Sequence, residues 1–182
     1  VGDICASLVL LVRGLPFMAV GALAIKLEDG GPIFYRQVRV GQHGRLFKLT
    51  KLRSMGVDAE AQGARWASKD DQRITRVGNC LRKTRIDELP QVINVLLGDM
   101  SFVGPRPERP YFVDHFQSRV PRYLERHGVK SGITGWAQVN GLRGNTSIQE
   151  RIKYDLFYLE NWSLAFDFKI IARTIFSTKN AY

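Results

Sequence analysis

Ile4-Cys-Ala-Ser-Leu-Val-Leu-Leu-Val-Arg-Gly-Leu-Pro-Phe-Met-Ala-Val-Gly-Ala-Leu-Ala-Ile-Lys-Leu27 is an apolar run of membrane-spanning length. A cleavable signal peptide fits it poorly: the run is too long, residues 1–3 carry no basic leader, and it continues straight into the following domain. A straight transmembrane helix also fits imperfectly, because Arg13, Gly14 and Pro16 interrupt its centre. Pro16 removes one backbone donor and crowds the preceding turn, which predicts a sharp bend. A bent helix that enters and leaves the same leaflet keeps both ends on one side of the membrane. Arg13 near mid-bilayer would cost at least ~2.5–3.5 kcal/mol unless it snorkels or is paired. The expectation is a re-entrant membrane helix over residues 1–29, followed by a catalytic unit over 30–182. The alternative is a buried helix in a soluble core, which the flanking charges permit and the length disfavours.

Outward from this run, Gly30-Gly-Pro32 ends the helix and opens an extended stretch, 33–40. Gly41 to Gly44 reads as a turn into a second stretch, 45–52, with alternating polarity, so the pair predicts a basic β-hairpin. Residues 56–72 are polar and rich in Ala and Gly, the pattern of a mobile loop. A short helix is expected over 74–81. Leu89, Val92, Ile93, Leu96 and Leu97 recur at helical spacing up to Gly98, with Asp87 as N-cap and Pro90 in the first turn. A further helix is expected from Asp114 to His127, packed through Phe112, Phe116, Val120 and Leu124. Gly132 to Gly141 reads as a loop, and 149–176 as one or two aromatic-rich amphipathic helices able to rest on a membrane. The fold class is therefore α+β and mostly helical.

Charge is localised along this layout. The chain carries a net +10, and residues 36–85 hold 13 Lys/Arg against 4 Asp/Glu, while the remainder is near balance. Such a block implies an anionic partner: nucleic acid, membrane headgroups or a phosphorylated ligand. Two cysteines make no disulfide framework, and three scattered histidines argue against a His-rich metal site. Within the basic field, Arg85-Ile-Asp-Glu-Leu-Pro-Gln91 sets two adjacent carboxylates among Arg73, Arg76, Arg82, Lys83, Arg106 and Arg109. That arrangement suits an anionic, phosphorylated substrate with a metal ion between carboxylate and phosphate. It equally suits a plain helix start with solvated arginines. Gly104-Pro-Arg-Pro107 stiffens the backbone on both sides of Arg106, a geometry suited to bidentate phosphate contact, though also to a simple turn.

Six strings in order give the chain a resemblance to the bacterial polyprenol-phosphate phosphoglycosyl transferases, the monotopic sugar transferases that begin exopolysaccharide and O-antigen synthesis. They are 30–37 (GGPIFYRQ), 51–55 (KLRSM), 73–78 (RITRVG), 81–91 (LRKTRIDELPQ), 98–108 (GDMSFVGPRPE) and 132–141 (GITGWAQVNG). The resemblance implies transfer of a sugar 1-phosphate from a UDP-sugar to undecaprenyl phosphate at the cytoplasmic face of the inner membrane, with release of UMP. It implies Asp87 as nucleophile, Glu88 as its partner at a Mg²⁺ site, and Lys51, Arg82 and Arg106 as phosphate-binding cations. Anionic membrane lipids are implied as a further partner, and nucleic acid is not. Strings 104–110, 142–146 and 158–164 resemble glucose- or galactose-1-phosphate transferases, with a UDP-N-acetyl sugar as the alternative donor. Two positions depart from the pattern. Leu15-Pro16 stands where Ser-Pro is expected, and Lys130-Ser131-Gly132 where Lys-Pro-Gly is expected.

A different class of reading remains, a membrane-tethered nucleic-acid-binding module, since Phe34, Tyr35 and Phe47 interleave with the basic hairpin as stacking requires. Against it, the strongest motif is acidic.

Overall fold

The computed structural model describes residues 2–61, 63, 65, 66, 68 and 71–176. α1 (Gly2–Asp29) is a helix of 28 residues, about 42 Å long at 1.5 Å per residue. It continues through Pro16, so the proline does not divide it in two; one missing backbone bond is a small part of so long a ladder. Nor is α1 a buried core helix. Only Ser7, Gly14, Gly21 and Ile25 are buried, a stripe that repeats near every seventh residue. A Cβ added at Gly14 would lie 3.5 Å from Leu89, and one at Gly21 would lie 3.1 Å from both Leu52 and Leu81. The bare glycines let α1 lie close over the segment that carries the acid pair.

The hairpin forms as its alternation predicts. β1 (Phe34–Val40) pairs antiparallel with β2 (Leu46–Leu52), in register from Phe34↔Leu52 to Val40↔Leu46. Part of the 56–72 stretch lies outside the described residues; beyond it, Met55 and Ile74 form an isolated bridge. α2 (Arg76–Thr84) starts where the Thr75 hydroxyl accepts from the Gly78 N–H at 2.9 Å, two residues later than expected.

The acid motif departs from the sequence expectation. Arg85 takes a left-handed conformation (φ 59°) and ends α2, and Ile86–Glu88 then form a 3-10 turn. α3 (Gln91–Leu96) begins only after Pro90. Asp87 is therefore not an N-cap; it sits inside the tighter turn. Pro90 has no N–H to bond back to Ile86, so the Leu89 N–H takes the Ile86 carbonyl instead, at 3.2 Å. The buried face differs too. Val92 and Val95 enter the core while Ile93 and Leu97 are exposed.

β3 (Met100–Val103) and β4 (Ser131–Thr134) form a small parallel pair, where the sequence reading placed a loop at 132–141. Strands of four residues, β4 with a glycine in it, offer no alternation long enough to detect. Ser131, at the position of the expected proline, opens β4. α4 (Pro110–Gln117) precedes a separate 3-10 segment, Tyr123–Gly128, rather than one helix to His127. Pro121 disfavours helical geometry at Val120, and Arg122 turns left-handed (φ 61°). Tyr123 consequently enters the core and Leu124 faces outward.

After the short α5 (Trp136–Val139), α6 (Ile148–Glu160) and α7 (Leu164–Phe176) complete the described chain. Among the described residues helices dominate and two two-stranded sheets join them, as the α+β expectation requires. α7 buries Ile170 and exposes Leu164, Phe168, Ile171 and Ile175, one apolar face at spacings of four, three and four.

Candidate active site

All five residues singled out from the sequence line one cavity of about 350 Å³: Lys51, Arg82, Asp87, Glu88 and Arg106. Each arrives on a different device. Lys51 projects from β2 beside Tyr35, its partner in register. Arg82 comes from the last turn of α2, and its Nε donates to the Ser54 hydroxyl at 2.8 Å. That bond depends on a close approach, since a Cβ at Gly78 would lie 2.0 Å from the Ser54 carbonyl oxygen.

Arg106 is carried by a clamped loop. The Gly104 N–H donates to Thr134 O, and the Gly132 N–H to Pro105 O, both at 2.9 Å. A Cβ at Gly104 would meet the Lys130 carbonyl at 2.3 Å, and one at Gly132 the Gly104 nitrogen at 2.1 Å. From below, the buried Arg126 donates to the Arg106 carbonyl at 2.8 Å and pairs with Asp155 at 2.7 Å. Next along, Glu108 is ion-paired with Arg151 at 2.7 Å. The loop's rigidity thus comes from packing and buried pairs as much as from its prolines.

Glu88 is the hub of the cations. Its Oε1 accepts from Lys51 Nζ at 3.1 Å and from Arg106 NH2 at 2.6 Å. Burial alone would raise its pKa, but Arg106 and Lys51 together outweigh that and hold it well below the usual carboxylate range. Asp87, only 6% exposed, goes the other way. Burial first, and the neighbouring Glu88 charge second, push it up to about 6 despite Lys51, Arg82 and Arg106. Burial likewise lowers Lys51 and Arg82. Two adjacent carboxylates are thereby separated: Glu88 is held in its ionised form, while Asp87 is a poorly solvated, more basic carboxylate.

The same cavity receives Arg109, which the sequence reading named only among the surrounding cations, and Arg39, Arg143 and Arg151, which it did not assign to a site. Arg39 could have been found from β1, where it shares the strand face of Tyr35 and Gln37. Arg143 and Arg151 carry no local signal; they reach the cavity only through the fold. Ser54 was missed for the same reason.

The comparisons with known proteins bear on this arrangement. A family described as bacterial sugar transferase matches residues 1–180. The chain belongs to that family. Among its relatives, a protein of Escherichia coli (strain K12) named UDP-glucose:undecaprenyl-phosphate glucose-1-phosphate transferase is 45% identical over 96% of this chain. A Caulobacter vibrioides protein of the same name is 44% identical over 99% of it. A protein of Aeromonas hydrophila, named UDP-N-acetylgalactosamine-undecaprenyl-phosphate N-acetylgalactosaminephosphotransferase, is 46% identical over 95%. The chain spans 38%, 70% and 41% of the lengths of these three proteins, respectively. Within the bacterial sugar transferase family, similar identity therefore accompanies different named donor sugars.

Proposed function

We propose that this chain transfers a hexose 1-phosphate from a UDP-sugar to undecaprenyl phosphate and releases UMP, through a covalent adduct on Asp87. The observation that carries the reading is the split acid pair on one cationic cavity. An anionic nucleophile approaches a diphosphate only where positive charge offsets the repulsion, and Lys51, Arg82 and Arg106 supply it around Asp87. In the first step an Asp87 carboxylate oxygen attacks the phosphorus that bears the sugar. The bond from that phosphorus to the bridging oxygen breaks, and UMP leaves with the electron pair. In the second, a phosphate oxygen of the lipid attacks the same phosphorus and the Asp87 carboxylate is released.

The donor set fits a hard divalent cation. Glu88 takes both its cationic contacts on Oε1, and no hydrogen bond to its other oxygen occurs among the described residues. No cluster of three or more His, Cys, Asp or Glu side chains capable of holding a metal occurs among the described residues. A cation at Asp87 and Glu88 would thus complete its shell with substrate oxygens and water, the habit of Mg²⁺. When bound, Mg²⁺ would neutralise diphosphate charge.

The membrane setting has its own support. The catalytic turn packs against α1 part-way along the helix, Leu89 lying against Gly14. Were α1 to span a bilayer upright, the charged turn would sit near its centre, at a cost of several kcal/mol per charge. A helix inserted into one leaflet avoids that cost and leaves the cavity at the surface, in the proposed setting at the cytoplasmic face. The outward apolar face of α7, with Ile93 and Leu97 of α3, provides further area for the same surface, and the basic block suits anionic headgroups.

Glucose or galactose is the proposed donor sugar, with an N-acetylhexosamine as the second reading favoured by the Aeromonas relative. The test is to mix protein, Mg²⁺ and a panel of labelled UDP-sugars without lipid. A burst of UMP with label retained on the protein is expected, and absence of both would sink the covalent reading.

A further inference from the structure

The cavity that holds the acid pair is cationic on its floor but apolar at one edge. Pro32, Phe34, Met55 and Val57 line that edge, and Phe34 and Val57 remain 48% and 66% exposed. Apolar side chains gathered at the rim of a strongly basic cavity suit a ligand with an apolar part. Their position shows which one. Arg53, itself buried, ties this edge to the end of α1: it donates to the Pro32 carbonyl at 2.7 Å and to the Met55 carbonyl at 3.3 Å, and it forks the Asp29 carboxylate. The edge is thus fastened to the last turn of the apolar helix, where Leu27 is also exposed. The lining elsewhere includes a polar set: Glu60 accepts from Gln37 and, with both carboxylate oxygens, from Arg109.

We infer that the edge formed by Pro32, Phe34, Met55 and Val57 seats the first isoprenoid units of the lipid acceptor, so that its phosphate is delivered from the α1 side of the cavity. The inference rests on the proposed reaction and deepens it. An amphiphile with an apolar tail and an anionic head matches an apolar lip that runs into a cationic floor. A UDP-sugar, polar throughout, matches the polar and cationic lining instead. The lip residues therefore act on the acceptor and not on the UDP-sugar.

The experiment uses detergent-solubilised protein with Phe34→Asn/Val57→Asn, and Val57→Asn alone as the milder variant outside any helix or strand. KM is measured separately for UDP-sugar and for undecaprenyl phosphate, and a melting curve confirms folding. Losing two apolar contacts of this size predicts a KM for the lipid raised about tenfold or more, with KM for the UDP-sugar within twofold of native. Geranyl phosphate, which has too little tail to fill the lip, should show a smaller change. Unchanged lipid KM in folded variants, or equal rises for both substrates, overturns the inference while leaving the proposed reaction standing. Native protein that releases no UMP from any UDP-sugar overturns the reaction itself, and the lip with it.

Discussion

Replacing Asp87 by Asn should inactivate the protein and yet make it more stable, with a pH dependence that identifies the cause. Asp87 is almost fully buried, and its carboxyl is pushed from the ordinary 3.8 to about 6. The attraction of Lys51, Arg82 and Arg106 is already included in that net value. Each pH unit is worth 1.36 kcal/mol, so ionised Asp87 costs the fold about 3 kcal/mol above pH 7. The sign follows from the direction. Because the folded value is raised, the stabilisation from binding the proton is complete below about 3.8 and is lost as pH rises through about 6. Asparagine has no proton to lose. At pH 8 Asp87→Asn should therefore melt higher than native protein by about 6–12 °C, on the 2–4 °C per kcal/mol expected for a chain of this size. Near pH 4 the two curves should converge. Differential scanning fluorimetry in one detergent across pH 4–8 measures this, and the same samples are assayed for adduct formation. A variant that melts no higher than native at pH 8 would refute the idea that the nucleophile is held at a cost; a variant that still forms the adduct would refute its role.

Arg106→Ala should lower turnover steeply, and Arg106→Lys should recover little of it, because a point charge does not reproduce the forked guanidinium; steady-state rates of UMP release compare the two. Gly78→Ala should push α2 away from Ser54 and break the Arg82–Ser54 bond, given the 2.0 Å approach to the Ser54 carbonyl; the expected result is loss of both stability and UDP-sugar affinity. Arg126→Met should leave Asp155 buried without its charge partner, destabilising the fold by about 3–5 kcal/mol in denaturant titrations. Adding Asp155→Leu should restore stability but not activity, since the Arg106 carbonyl still lacks its donor.

Short-range chemistry was legible where it repeated. Alternation over 33–52 located both strands of the hairpin, and α7 follows from apolar spacing. The candidate site was legible as residue types: two carboxylates in sequence, with three cations in flanking strings, all reach one cavity. What failed were expectations in which a local rule competed with a neighbour. Asp87 had an N-cap's sequence context, but Pro90 withheld the bond that would have carried the helix back to it. The 114–127 helix was interrupted by Pro121 and a left-handed Arg122. The parallel pairing of β3 with β4 joins segments about thirty residues apart, and nothing in either segment names its partner.

By itself the sequence determined the membrane-length helix, the basic character of the hairpin and the adjacency of two carboxylates within a cationic stretch, because these depend on composition and on spacing of a few residues. Only the tertiary structure decided what those groups are. Two adjacent carboxylic acids start with nearly the same affinity for a proton. Burial raises one, and the contacts of Lys51 and Arg106 lower the other, through residues 37 and 18 positions from Glu88 along the chain. Desolvation and through-space charge act over distance in space, which order along a chain does not encode.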